Sequence, residues 1–426
     1  MMKKLSNCKL FSLLTCFSLI CLLACGGSRE ESLILVSDRD AAEPSVAAAT
    51  DGTIYVAWVE HLPEKRADVF LRRFGADGEP LSGAVRVNPE TGTATAWRGD
   101  PPTVKVGGDG GVYVVWTRRA PVADGAATDL HLSVSRDGGK SFEAPVKIND
   151  DALPSDHGMH SLEIDRHGRV YVAWLDERYL KNEAPEPTNT TADANVAPHQ
   201  HGEPNREVYL AISADGGKTF SANKKIAGNV CPCCKTSIAA APDGTIYLAW
   251  RQVLDGDFRH VAVAASTDGG INFAPFSVVS DDRWQISACP VSGAALSVDA
   301  MNKLTVVWFT AGGTGAPGIY RAESSGGRNF SERVLVSGEA AGGTPVIMKD
   351  ENGDSRIVFS ALDKSTRVVA APSDSAGFTE EKRIDEADLP SAAIAKNTAF
   401  VGFVRNADGK RSVYLARQIF GEAGAN

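Results

Sequence analysis

Past residue 24, the 426-residue chain has no apolar run of the roughly 18–20 residues that a membrane-spanning helix needs. It has no basic surplus either: 44 Lys and Arg stand against 53 Asp and Glu, a formal net charge of -9. The first 24 residues carry Lys3, Lys4 and Lys9 and no acid, so the remainder is more acidic still. This argues against a general nucleic-acid binder or a polybasic membrane patch. Aromatics are scarce at 7%, yet five of the seven Trp fall in one recurring slot. The 41 Gly and 21 Pro make the chain turn-rich without a collagen-like period.

The N-terminus reads as an address. A positive start at Lys3 and Lys4 precedes an apolar stretch, Leu10 to Leu23, and then small residues. That is the grammar of a signal peptide over residues 1–24. Leu22-Leu23-Ala24-Cys25 resembles a bacterial lipobox. The resemblance implies cleavage before Cys25 and acylation of its thiol, with residues 25–32 as a lipidated tether. Gly26, where Asp commonly holds lipoproteins at the inner membrane, favours the outer membrane of a bacterial cell envelope. The expected membrane partner is reached through this lipid alone. Cys8, Cys16 and Cys21 leave with the signal, so four cysteines remain: Cys231, Cys233, Cys234 and Cys289. An oxidising compartment permits disulfides among them, but sequence does not pair them.

One unit recurs along residues 33–426. A tight turn leads into an apolar strand ending in Trp, as in Asp51-Gly52-Thr53-Ile54-Tyr55-Val56-Ala57-Trp58. The pattern returns at Trp116, Trp174, Trp250 and Trp308, with weaker copies at Phe359 and Phe403. Gly supplies the positive φ that such a hairpin turn requires. A second element follows most of these strands, as in Ser135-Arg136-Asp137-Gly138-Gly139-Lys140-Ser141-Phe142, with its equivalents around Asp215 and Asp268. This element resembles the Asp-box, or BNR, motif of the sialidase superfamily, with Asp137, Asp215 and Asp268 as structural turn-formers. Short D-type strands such as Val85-Arg86-Val87 and Val334-Leu335-Val336 complete four strands per unit.

The sequence therefore predicts an all-β fold, a single β-propeller of four-stranded antiparallel blades. Seven blades are expected, six being the alternative. Leu33-Ile34-Leu35-Val36 would supply the last blade's missing strand and close the ring. Residues 181–207, rich in Pro, Asn and Thr, read as a loop insertion that carries His199 and His201.

Ligand sites of propellers lie near the axis, on the face where inner strands begin. Nineteen residues before Trp116, Trp174, Trp250 and Trp308 stand Trp97, Ser155, Cys231 and Cys289. This register places Cys231, Cys233, Cys234 and Cys289, with His157 and His160, around one mouth. Sulfur and imidazole together suit copper or zinc. A disulfide, for example Cys231 or Cys234 with Cys289, and a redox-active thiol pair are the competing readings. Trp97, Arg98, Arg178, Tyr179, Arg251, Arg283 and Trp284 are further candidates on that face.

The sialidase resemblance implies three Arg clamping a carboxylate, a Tyr–Glu nucleophile pair and an Asp acid/base. The Arg-Ile-Pro signature expected at the first inner strand is missing, since the chain reads Ala42-Glu43-Pro44-Ser45-Val46 there. Asp176-Glu177-Arg178 is expected to form an internal salt bridge. The favoured role is thus binding, of a soft metal, a protein or a glycan, by an envelope lipoprotein. Exo-sialidase or related glycosidase activity is the alternative, so whether the chain is an enzyme stays open.

Overall fold

The computed structural model describes residues 32–95, 97–120, 127–152, 154–179, 204–286, 290–338, 341–350, 353–371 and 377–419. The signal peptide and Cys25, the insertion histidines His199 and His201, and Cys289 lie outside the described residues. Residues Ser32–Asn426 form one compact unit.

Among the described residues the fold is β-sheet, with one short 3₁₀ turn at Pro63–Lys65. There are five four-stranded sheets and one eight-stranded sheet, all antiparallel. In the first sheet, Ala41–Ala48, Ile54–Leu62, Arg66–Phe74 and Val85–Arg86 pair in sequence order. The eight-stranded sheet is two such units, joined where Val230 at the outer edge of one pairs with Gln252 of the next. The strand Ser32–Ser37 pairs with Lys410–Ile419, on the far side of the chain from its sequence neighbours. The innermost strands, from Ala41–Ala48 to Asp388–Ala395, contact one another in sequence order, and the first also contacts the last. The architecture is propeller-like.

The second strand of each unit is the core. Trp58, Trp116, Trp174, Trp250 and Trp308 are fully buried in equivalent places. Each indole N–H has an acceptor: Glu60, Ser133, Asp176, Gln252 and Asp282 respectively. Burying an indole with its donor satisfied captures its apolar area without an orphaned N–H.

Successive units are clasped at the opposite end. The Asp137 carboxylate accepts the amide N–H groups of Lys140 and Ser141, both at 2.9 Å, and the Ser135 hydroxyl at 2.7 Å. Asp215 repeats all three contacts, and Asp268 accepts the Asn272 N–H and the Ser266 hydroxyl. Gly138 and Gly139 both carry positive φ there. A Cβ on Gly139 would come within 3.1 Å of Tyr55 and Leu71 of the preceding sheet. In the same manner the Tyr171 hydroxyl donates to the Gly269 carbonyl at 3.3 Å. The tyrosine of one unit thus seats the Asp-Gly-Gly turn of the next.

Candidate functional site

Where the innermost strands begin, four of them carry a register shift: Ala42/Ser45, Gly158/Ser161, Gly342/Val346 and Asp388/Ser391. Each shift holds a left-handed residue, namely Glu43, Met159, Gly343 and Leu389. Three of these are not glycine, and such backbone strain clusters at functional sites. The displaced strand starts surround a cavity of about 490 Å³ whose wall draws on every innermost strand. Its charged lining residues are Glu43, Arg98, Lys105, Glu163, Lys235 and Asp388.

Most of this charge is already paired. Lys105 meets Glu163 at 2.9 Å, and Arg98 meets Asp388 at 2.7 Å. Largely buried Lys235 lies 3.6 Å from Asp100, which also faces His160 Nδ1 at 3.2 Å. Burial alone would raise the Asp100 carboxyl, but His160 and Lys235 hold it well below the usual carboxylate range. Burial pulls Lys235 and His160 below their ordinary values despite Asp100. Glu43 is the remainder. It accepts one hydrogen bond from the Gly99 N–H at 3.0 Å, and burial, with Asp100 adding to it, pushes its carboxyl up to about 7. A carboxyl at that value exchanges protons near neutrality.

The cysteines lie behind this wall. Cys231, Cys233 and Cys234 are buried, and their sulfurs fall within 4.8 Å of one another. Lys235 and Thr236, which follow directly, line the cavity. Cys231 Sγ lies 3.0 Å from Cys234 Sγ and 4.0 Å from Cys233 Sγ. Arg259 donates to Cys231 Sγ at 3.3 Å. The Cys234 hydrogen bond, reinforced against burial by the Cys233 amide and by the Arg251 and Arg259 charges, lowers the Cys231 thiol to about 6. Burial and the neighbouring Cys231 push Cys234 the other way.

Cys231 and Cys234 are free, whereas Cys233 is disulfide-bonded. The pairing of Cys231 or Cys234 with Cys289, one of the readings of the sequence, is therefore corrected: the bonded thiol is the middle one.

The histidines do not join the sulfurs. His157 Nε2 lies 3.2 Å from Asp151 and 3.4 Å from Asp176, and its Nδ1 donates to the Thr128 carbonyl. Burial alone would lower it, but the two carboxylates raise it to about 9. His160 faces Asp100 and the Val115 carbonyl. Their ring nitrogens are thus committed to carboxylates and carbonyls of the second and third units.

The remaining candidates separate. Arg178 binds Asp176 and Asp150 and covers the Tyr209 ring at 4.2 Å, which is the internal salt bridge expected at Asp176-Glu177-Arg178. The Tyr179 hydroxyl donates to the Asn205 carbonyl. Arg251 is fully buried, donating to the Ser292 and Phe309 carbonyls at 3.0 Å and covering Trp284 at 4.8 Å. Trp284 also packs edge-on against Phe309. Arg283 covers Phe258, away from the axial cavity. Trp97 is half exposed and Arg98 lines the cavity.

Glu43 and Lys235 are absent from the candidates read from the sequence. Both stand fifteen residues before a strand-ending Trp, and Asp388 stands fifteen before Phe403. The register count used above would have found them at that offset.

Comparison with known proteins identifies the class by fold alone. No protein-family model matches the chain, and no curated protein does. Among solved structures, an ulvan lyase, a polysaccharide lyase, is similar at a TM-score of 0.56 and 11% identity, covering 92% of this chain and 96% of its own. An α-L-arabinanase from Penicillium chrysogenum, solved with arabinobiose, gives a TM-score of 0.50 and 12% identity over 91% and 97%. The NanB sialidase from Streptococcus pneumoniae gives 0.49 and 10% identity over 90% and 94%. The likeness to the ulvan lyase and the arabinanase, at low identity, agrees with the propeller-like fold and shows the fold alone.

Proposed function

We propose that the chain is an envelope lipoprotein, anchored through Cys25, whose seven-bladed propeller binds a neutral, hydroxyl-rich ligand such as a glycan segment in its axial cavity. The units with Asp137, Asp215 and Asp268 are read as Asp-box blades. The strand Ser32–Ser37 is read as the ring closure, since it supplies the outer strand beside Lys410–Ile419.

The cavity's charge balance carries the ligand class. Arg98, Lys105 and Lys235 each face a carboxylate, so among the described lining residues no cation is left over for a carboxylated or sulfated sugar. Among the described residues the lining includes one Arg and no Tyr, so they assemble no three-arginine clamp. Glu43 remains, able to donate to or accept from a hydroxyl, as sugar-binding carboxyls do. Propeller similarity alone carries no activity.

The test is a glycan array probed at pH 6 with the soluble domain, alongside Glu43→Gln. Retention of neutral glycans, weakened in the variant, supports the reading. Retention of sialosides only, unaffected at Glu43, would refute it. Cleavage of a bound glycan would replace binding with hydrolysis, Glu43 being then the acid.

A second reading concerns the sulfurs. Three buried sulfurs within 4.8 Å of one another form a donor set for a soft ion, copper(I) or zinc, once Cys233 is reduced. Metal titration of anaerobically reduced protein should give one equivalent per chain, lost in Cys231→Ser.

A further inference from the structure

A second cavity, of about 500 Å³, opens beside the hairpin that joins strands Ile246–Leu254 and Phe258–Ser266. Leu254 and Phe258 give it an apolar side, and Asp255, His260 and Asp281 supply nitrogen and oxygen atoms to it. We infer that His260 and Asp281, with Asp255 beside them, bind one divalent transition-metal ion of the zinc type. The site shares no residue with the axial cavity or with the cysteine sulfurs.

His260 carries the inference. It is only 4% exposed, yet it lines the cavity. Its Nδ1 lies 3.1 Å from the Ser280 carbonyl. A carbonyl only accepts, so Nδ1 holds the hydrogen, and in the neutral ring Nε2 holds the lone pair. Among the described residues Nε2 makes no hydrogen bond; it faces the Asp281 carboxylate at 3.9 Å. Buried ring nitrogens are normally satisfied, as those of His157 are. An imidazole whose Nδ1–H is held by a carbonyl while Nε2 points into a cavity is oriented as metal-ligating histidines are. Phe258 packs edge-on against the ring at 6.3 Å and keeps it from turning away.

Asp281 is positioned from the other side. Its neighbour Asp282 is fully buried, accepting the Trp308 indole N–H at 2.7 Å and the Arg333 guanidinium. The Thr314 hydroxyl donates to the Asp281 carbonyl at 3.0 Å. A Cβ on Gly312 would fall 1.9 Å from the Asp282 carbonyl oxygen, so a glycine there lets this loop sit where it does. The Asp281 backbone is therefore fixed although its side chain is 73% exposed. An ion about 2.0–2.2 Å from each ligand atom fits between atoms up to about 4.2 Å apart. The 3.9 Å separation meets that bound.

The donor set selects the ion. One imidazole, carboxylates and water suit zinc and its borderline neighbours, whereas copper(I) prefers sulfur. Asp255, exposed at the hairpin tip, offers the second carboxylate. Among the described lining residues Arg283 is the one fixed cation, and its guanidinium lies over the Phe258 ring, 5.5 Å from the centroid. The two carboxylates outweigh it, so the cavity favours positive charge.

The experiment is a Co²⁺ titration of the full mature chain, read by equilibrium dialysis and absorption, on wild type and on Cys231→Ser. Cobalt stands in for zinc and reports its ligands: thiolates give an intense near-ultraviolet charge-transfer band, and nitrogen and oxygen give weak visible bands alone. One equivalent lacking the charge-transfer band is expected in both proteins, displaced by Zn²⁺. His260→Gln and Asp281→Asn should each weaken it at least about tenfold. Thermal melts of the variants in chelator should match wild type. Exposed Asp281 contributes little to the fold, so Asp281→Asn decides the matter even if His260→Gln does not fold. Three results would each overturn the inference: no cobalt bound in Cys231→Ser, a charge-transfer band on every bound ion, or undiminished affinity in Asp281→Asn.

Discussion

At the end of the blades that carries the Asp-Gly-Gly turns, Asp137, Asp215 and Asp268 are exposed, and each is ringed by donors from its own turn. At the other end, Glu43, Asp100, His157 and His160 are buried and Lys235 is largely so, and their partners come from other strands or other units. The first kind of carboxylate is satisfied within seven consecutive residues, such as Ser135 to Ser141. The second needs the whole ring in place before its charges are balanced. The turn end is therefore repeated and the strand-start end is individual, which is the division expected between scaffold and site.

Four substitutions sharpen that contrast. His157→Gln should cost the most, about 3–5 kcal/mol, because it strands Asp151 and Asp176 in the interior. The pH dependence has a definite sign. The folded-state value of His157, about 9, lies above its unfolded value, so its stabilisation is complete below about 6.5 and fades as pH rises through 9. Urea melts of wild type and variant between pH 6 and 10 should converge at the alkaline end. Lys235→Met should cost about 2–3 kcal/mol by chemical denaturation, less than His157→Gln because Asp100 keeps His160 as a partner. Ser135→Ala should cost about 1 kcal/mol, since the buried hydroxyl both donates to Asp137 and accepts from the Gly139 N–H. Arg98→Gln should change stability by less than about 1 kcal/mol, its pair with Asp388 being largely exposed. Were Ser135→Ala to cost more than His157→Gln, the contrast between the two ends would collapse.

What the sequence made legible follows the same line. The strand ending at Trp58, the turn at Asp137 and the D-type strand at Val85 are local patterns, and each recurs often enough to be read without a partner. The short strand Ser32–Ser37 was readable because it lacked neighbours in sequence while matching a pattern elsewhere. The site is harder because its groups meet across hundreds of residues: Arg98 reaches Asp388, and Lys235 reaches Asp100. Counting back from each Trp located the right loops, yet the chosen offset selected Cys231 and passed over Glu43 and Lys235. Chemistry also misled. Imidazole near sulfur in register suggested ligands, whereas His157 and His160 satisfy buried carboxylates, His157 those of Asp151 and Asp176 and His160 that of Asp100 from the preceding unit. Nothing in local sequence announces that Asp151 and Asp176 converge on one ring nitrogen.

The account turns on one uncommitted carboxyl inside the cavity. Infrared difference spectroscopy across a pH titration reads protonated carboxyls directly, and Glu43→Gln assigns the signal. One carboxyl should titrate near pH 7 in the wild type and vanish in the variant. A protein whose carboxyls are all ionised by pH 5, or whose near-neutral signal survives Glu43→Gln, would contradict the claim that Glu43 is the group left free to meet a ligand.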